Sequence, residues 1–309
     1  MIWLLILQLI ALIILISVSA SLMARGTEEL EKTFGKGIAG GLILGFINSL
    51  PETIIVLFAV LNGSYDIALG SALGGNILLF TLGIGFVSIL YYAKYKSGTI
   101  SLDKDINIEY NSFLMALVIF IVAIIYGRLN YYIAIFLLSP YVYYVYRRYK
   151  NYRSEIKIGG NTIRGLTYVL AGGLPLIFIS KYFITTIIDV ATIFKMSPIL
   201  LAVLITPIAA ELEENLTAIK LILDSPSSAT TALMNFIGSK LENMTLLLSI
   251  IGLSQTISLR PSLLYLLLIV AVSVLTLGII RDRNIKINEG LSLFGIYALS
   301  VAILLRFSA

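Results

Sequence analysis

The sequence predicts an all-α integral membrane protein: ten transmembrane helices in two inverted-topology five-helix repeats. Composition, the count of long apolar runs and a weak internal repeat predict it. Of 309 residues, 59% are hydrophobic and 13% charged, with mean hydropathy +0.98, whereas soluble domains carry about 25% charged residues. A spanning helix with a short connection takes roughly 30 residues, so the chain has room for about ten and none left for a soluble domain. The apolar runs are continuous instead of alternating, which excludes a transmembrane β-barrel. Cysteine and histidine are absent, which removes disulfides, haem, thiolate metal sites, the usual zinc ligand and the usual proton relay. Neither an enzyme nor a cofactor is expected.

The opening run, 1–24, lacks a basic leader and is longer than a signal-peptide core, so it reads as the first span. Apolar runs between charged or turn-rich breaks then place spans at about 38–61, 67–93, 110–127, 130–147, 163–181, 198–223, 230–254, 262–280 and 289–307. The longest polar break holds Arg147, Arg148, Lys150, Arg153, Lys157 and Arg164 against Glu155. It divides a first half, 1–150, from a second, 163–309, with a basic linker over 151–162. If that linker is cytoplasmic, the loops on its side carry fifteen of the 22 Lys and Arg, against five outside: Arg128, Lys181, Lys195, Arg260 and Arg306. This bias orients both termini outside and the 148–162 loop inside, in a multi-pass protein of the cell membrane. The net charge of +5 is then juxtamembrane and suits anionic lipid, so the bilayer is the expected partner and nucleic acid is not. The oligomeric state stays open, a monomer included. Tyrosines at 91, 92, 95 and 141–152 fall at span ends, where an interfacial belt explains them.

Sliding the chain against itself sets residues 68–82 on 232–246 at an offset of 164, and Asn48-Ser-Leu-Pro-Glu52 on Ala210-Glu-Leu-Glu-Glu214 at 162. Both copies put a carboxylate in one span and a small-residue, amide-bearing stretch in the next. The ion motifs cover 45–85 and 202–252. Each copy sits in spans two and three of a five-span unit. An odd span number turns the second unit over, which is the inverted-repeat plan of secondary transporters.

Glu52, Glu211, Glu213, Glu214, Lys220, Lys240 and Glu242 fall inside expected spans, where each charge costs at least about 2.5 kcal/mol. Five negative charges against two positive leave a site short of three, which cations or protons supply. Pro51 before Glu52 leaves upstream carbonyls free to coordinate. Pro207 is expected to break span seven two turns before Glu214, displacing the break relative to the first half. Glu211 and Glu214 are expected to share a helix face, and Glu213 and Lys220, seven apart, to return to one face, where a structural pair, a snorkelling pair and a functional role all stay open. Ser239 and Asn243 present a hydroxyl and an amide to one side. Lys240 is expected to neutralise an extra carboxylate in span seven, or Glu242. Glu52 and Glu214 can give up to four oxygens, and Asn48, Ser239, Asn243 and freed carbonyls the rest of the six to eight that Ca²⁺ takes, although residue count also admits Na⁺ or Mg²⁺.

Asn48-Ser-Leu-Pro-Glu52 with Gly70-Ser-Ala-Leu-Gly-Gly-Asn76, repeated more weakly in the second half, resembles the α-repeats of the sodium/calcium exchanger family in its archaeal and bacterial form. That family is part of the calcium/cation antiporter superfamily. The family wording is Gly-Thr-Ser-Leu-Pro-Glu followed by Gly-Asn-x-x-Gly-Ser-Asn. The resemblance implies ten helices in two inverted halves and export of Ca²⁺ in exchange for Na⁺, with proton-coupled relatives. It also implies that Glu52 and Glu214 are the central ligands, with Asn48, Ser49, Ser239 and Asn243 completing the shell. Leu79 stands where the family offers Asn or Asp, Gly75 replaces a serine, and Ala210, Glu211 and Glu213 replace threonine, serine and proline. Neutral ligands are thus lost and carboxylates gained, with Glu211 a candidate ligand. The gain favours protons as counter-ion, because crowded carboxylates hold protons more readily. The expected activity is antiport of cytoplasmic Ca²⁺ against Na⁺ or H⁺. The alternatives are proton-coupled antiport of another cation, a cation channel, and a non-transporting ion-binding relative.

Overall fold

The structure is a computed structural model that describes residues 2–34, 49–151 and 160–307. Among these, seven helical stretches are long and apolar enough to cross a membrane: Ile2–Leu30, Tyr65–Tyr95, Lys104–Tyr126, Thr162–Phe194, Ser228–Ser254, Leu263–Ile280 and Ile287–Arg306. They fall on expected spans one, three, four, six, eight, nine and ten. The other three expected spans depart. Span two is helical over Leu50–Leu61, and its first part, 38–48, lies outside the described residues. Span five is the 21-residue helix Tyr131–Asn151, long enough but loaded with tyrosines and with Arg147, Arg148 and Lys150. Span seven is two shorter helices, Pro198–Ala210 and Leu212–Asp224. The loop expected over 182–197 is mostly helix as well: Thr162–Phe194 runs 33 residues, because the segment after Lys181 is itself apolar and carries no breaker before Lys195. At 1.5 Å per residue that is about 50 Å, longer than a bilayer core. Residues 152–159 of the basic linker lie outside the described residues.

The chain folds as two compact units, Met1–Ser71 with Val142–Glu213, and Ala72–Tyr141 with Glu214–Ala309. In the first unit the long helices Ile2–Phe34 and Thr162–Phe194 lie against each other. Glycines let them approach: a Cβ on Gly26 would lie 2.7 Å from the Gly165 carbonyl oxygen, and one on Gly165 would meet Leu30 at 2.8 Å. Small residues at helix contacts are how apolar helices associate without a hydrophobic drive. Polar ties add direction, with Gln8 Nε2 donating to Thr186 Oγ1 at 2.9 Å and Ser17 Oγ to the Ala209 carbonyl at 2.9 Å. Gly70 is fitted against Ala202, where a Cβ would come to 2.7 Å. Next to it the buried hydroxyls of Ser71 and Thr206 are 3.0 Å apart.

In the second unit two short antiparallel strand pairs join the loops between helices. Thr99–Ser101 pairs with Asn284–Lys286, and Arg128–Leu129 with Ile257–Ser258. The first pair ties the segment after span three to that after span nine. The second ties the segment after span four to that after span eight. Lys94 Nζ and Tyr95 Oη donate to the carbonyls of Leu223 and Ile222, filling acceptors that the helix Leu212–Asp224 leaves open at its C-terminus. Tyr92, Tyr146 and Tyr149 are exposed, as a belt requires, whereas the hydroxyls of Tyr95 and Tyr141 are used inside the protein.

The two halves share a backbone irregularity. Leu79–Gly83 and Asn243–Leu247 are both π-helical turns, and their positions differ by the 164 residues read from the sequence. A π-turn widens the hydrogen-bond ring and leaves a carbonyl without its ordinary partner. In each half a threonine supplies one: Thr81 Oγ1 donates to the Ile77 carbonyl, and Thr245 Oγ1 to the Leu241 carbonyl at 2.6 Å. The hydroxyl of Thr276 also reaches the Phe80 carbonyl at 3.2 Å.

Candidate cation site

The starts of the helices that carry the two motif glutamates are also in register. Leu50–Leu61 begins after the turn at Ser49, with Pro51 in its first turn. There a missing N–H removes no helical bond. Leu212–Asp224 begins after Glu211, which has φ −104° and ψ 6°. Ser49 and Glu211 differ by 162, as do Glu52 and Glu214. The displaced break expected at Pro207 is therefore overturned: the helix continues through Pro207 to Ala210, and the interruption falls at Glu211. Pro207 still brings no N–H to the Val203 carbonyl. Its own carbonyl accepts from Glu211 N–H at 2.9 Å.

In the first unit Ser49, Glu52 and Glu211 are buried, Glu52 at 2% exposure and Glu211 at none. The Ser49 carbonyl is already taken by the Thr53 N–H at 2.9 Å and its hydroxyl at 2.7 Å. Asn48 and the carbonyls upstream of it lie outside the described residues. Glu211, as the break residue, stands outside the helix of Glu214, so the two do not share a helix face. Glu213 takes a hydrogen bond from Ser21 Oγ at 2.8 Å and Lys220 is exposed. A structural Glu213–Lys220 pair is replaced by that bond.

In the second unit Glu214 and Ser239 meet directly, the Ser239 hydroxyl donating to Glu214 Oε1 at 2.7 Å. Asn243 follows Ser239 by four residues, one helical turn, and is fully buried at the first position of the π-turn. Neither its Nδ2 nor its Oδ1 has a hydrogen-bond partner, and Glu214 Oε2 likewise accepts none. Buried polar atoms are ordinarily satisfied. Here a carboxylate oxygen and an amide oxygen stand unsatisfied close to a hydroxyl, the donor set a hard cation takes. Lys240, next to Ser239 in the chain, is fully buried. Glu242 is buried and accepts from Tyr141 Oη at 3.3 Å.

In the first half the equivalents of Ser239, Lys240 and Asn243 are Gly75, Asn76 and Leu79. Asn76 is fully buried, donates to Ser273 Oγ at 3.4 Å and keeps Oδ1 without a hydrogen bond. Leu79 is fully buried and offers no oxygen. Among the described residues no three carboxylates cluster closely enough to hold a metal ion by themselves, so neutral oxygens have to complete any shell. Sequence reasoning missed Ser21, whose partner is 192 residues away. It also missed Glu109, assigned to a loop yet 1% exposed in the helix Asn107–Tyr126.

Helices of spanning length and apolarity define a polytopic membrane protein. The chain belongs to the sodium/calcium exchanger protein family, whose model matches residues 4–150 and 164–306. Two curated relatives from Oryza sativa subsp. japonica match shorter stretches. Sodium/calcium exchanger NCL2 is 30% identical over 93 residues and NCL1 32% over 71. These stretches are 28% and 21% of this chain, and 16% and 12% of the relatives' length. Among solved structures, the H⁺/Ca²⁺ exchanger CAX aligns over 98% of this chain and 87% of its own, with TM-score 0.82 at 20% identity. The sodium-calcium exchanger NCX_Mj soaked with Na⁺ and Sr²⁺ aligns over 98% and 99%, with TM-score 0.65 at 19% identity. The YfkE structure aligns over 98% and 92%, with TM-score 0.75 at 20% identity. At these identities the likeness is one of fold.

Proposed function

We propose that the protein is a secondary antiporter that moves Ca²⁺ out of the cytoplasm in exchange for Na⁺ or H⁺, with Glu52 and Glu214 as the central ligands. Glu214 carries the proposal: one carboxylate oxygen is held by Ser239, the other is buried and accepts no hydrogen bond, and the buried amide of Asn243 is unsatisfied one turn away. Ser49, Ser239, Asn243 and Asn48 supply neutral oxygens, and Glu211 an additional carboxylate. Names of the relatives support Ca²⁺ as cargo and leave Na⁺ and H⁺ both in play as the exchanged ion. Glu211 and Glu213, carboxylates where the family has neutral residues, favour the proton.

The proposed architecture is ten spans in two inverted five-span halves, 1–150 and 163–309, with the termini outside and the 148–162 loop inside. Three features support it. The π-turns recur at an offset of 164, and the starts of the glutamate-bearing helices at 162. The strand pairs put the ends of spans three and nine together, and those of four and eight. Because spans three and four run oppositely, the pairing has spans three and eight running oppositely too. Alternating access would then expose one carboxylate set to each side in turn, and competition for that set couples the two ions.

The test is Ca²⁺ uptake into proteoliposomes under an imposed pH gradient and, separately, an imposed Na⁺ gradient. Uptake driven by the pH gradient is the expected result. Uptake driven only by Na⁺ overturns the proton assignment. Flux indifferent to both gradients makes the protein a channel, and no flux a non-transporting relative.

A further inference from the structure

The two helices that carry the motif glutamates end differently. Leu50–Leu61 closes on itself. Gly63, at φ 71°, gives its N–H to the Val60 carbonyl at 2.9 Å, Ser64 gives its own to Ala59 at 2.8 Å, and Asn62 Nδ2 donates to Phe58 at 2.9 Å. A left-handed glycine with these two returning N–H groups is a self-contained helix cap. Carried on at the offset of 162, Asn62-Gly63-Ser64 becomes Asp224-Ser225-Pro226. Proline has no N–H to return, and serine lacks the freedom of glycine at positive φ. The same cap cannot form there.

Span three supplies donors instead. Tyr95 Oη donates to the Ile222 carbonyl at 2.7 Å and Lys94 Nζ to that of Leu223, the counterparts of Val60 and Leu61. The Tyr95 ring lies 5.0 Å from that of Tyr91, and the Lys94 ammonium 5.1 Å from the Tyr95 ring, so the two donors are held side by side. An ammonium also complements the negative end of a helix. At 164 the counterparts of Lys94 and Tyr95 are Ser258 and Leu259, which bring neither an ammonium nor a phenol. Farther along the same loop the Asp103 N–H donates to Thr230 Oγ1 at 3.1 Å, near the start of the helix that carries Ser239. Span three and the loop after it thus hold both helices of the Glu214–Ser239 pair.

Resting on the antiporter reading above, we propose that Lys94 and Tyr95 are positioning residues for Glu214. They anchor its helix to span three, so that Glu214, Ser239 and Asn243 keep their spacing through the exchange cycle. Glu214 lies about two turns before Ile222 on one unbroken helix, so a shift of the anchored end is a shift of the carboxylate. The Glu52 helix, capped by its own chain, does not use this device. The two central carboxylates therefore differ in what fixes them.

The test is calorimetric titration of Ca²⁺ into the purified full chain, with thermal unfolding in detergent beside it. Tyr95→Phe and Lys94→Met each remove one donor and are expected to bind Ca²⁺ about threefold more weakly, and the double variant about tenfold, because a ligand set left loose loses affinity. The deciding protein adds Ser225→Gly and Pro226→Ser to the double variant, which writes the local cap of the first half into the second. Its unfolding temperature is expected to return towards wild type while its affinity stays about tenfold down, since a local cap closes a helix without anchoring it. Affinity that recovers together with stability overturns the proposal and makes the two donors ordinary caps. Wild-type affinity in both single variants overturns it as well, whether or not the combined variants fold. Absence of Ca²⁺ binding by wild type, or unaltered binding in Glu214→Gln, removes the underlying antiporter reading instead, a separate result.

Discussion

Removing the Ser239 hydroxyl separates a ligand from a bystander. Its donation to Glu214 Oε1 at 2.7 Å is a charge-assisted bond, and a hydrogen bond to a charged group contributes about 1.5–3 kcal/mol. The sign of the effect of Ser239→Ala on ion affinity depends on what the hydroxyl does when the cation arrives. If it stays in place, orienting the carboxylate and offering a lone pair, its loss weakens binding by about that amount, roughly 10- to 150-fold. If it only stabilises the empty carboxylate and has to be displaced, its loss leaves affinity unchanged or improves it. The account predicts weakening, because Glu214 Oε2 accepts no hydrogen bond and Asn243, the next oxygen along the same side, is unsatisfied. The assay is calorimetric titration of Ca²⁺ into purified protein, with Ser239→Thr as the variant that keeps the hydroxyl and binds within about threefold of wild type. A folded Ser239→Ala protein that binds Ca²⁺ as tightly as wild type, or more tightly, refutes the reasoning.

Three further outcomes concern residues outside the ion cluster. Thr245→Val removes the 2.6 Å bond to the Leu241 carbonyl and leaves that acceptor unpaired, so thermal unfolding in detergent should show a loss of about 1–3 kcal/mol; unchanged stability contradicts the role given to the threonine. Gly70→Ala forces a methyl to within 2.7 Å of the Ala202 Cβ and should lower stability by about 1–3 kcal/mol in the same measurement. A neutral result there means the helices part freely at Gly70. Glu213→Gln should leave Ca²⁺ affinity within about twofold, because Glu213 is engaged by Ser21 and the amide keeps an acceptor oxygen; a tenfold change would put Glu213 among the ligands.

What was legible in the sequence follows from what pattern carries. Long apolar runs locate helices, and among the described residues seven of the ten expected spans fall on helices both long and apolar enough to cross a membrane. The internal repeat was readable as an offset, and Thr81 and Thr245 fell on each other in it. Their purpose was not readable, because a threonine donating to a carbonyl four residues back looks in sequence like any other. The interruption of span seven was placed at Pro207, the residue with the known backbone defect. The helix absorbs that defect and breaks at Glu211 instead. Apolar composition also does not say where a helix ends: the segment after Lys181 reads as a loop by its flanking charges and is helix by its content. Within the site, the meeting of Ser239 and Glu214 was implied by the family resemblance, and the structure places them 2.7 Å apart. Lys240 is fully buried, which the apolar pattern around it does not announce. Ser21 and Glu213 are 192 residues apart and share no motif. Such pairs become visible only once the chain is folded.

The most direct test of the central claim is gradient-driven Ca²⁺ exchange in proteoliposomes by wild type, Glu52→Gln and Glu214→Gln, each checked for folding. Glutamine keeps the shape and removes the charge. The account predicts that wild type accumulates Ca²⁺ against its gradient and that both variants lose exchange. Wild-type exchange in either variant would contradict it, because the ion would then be held by other groups.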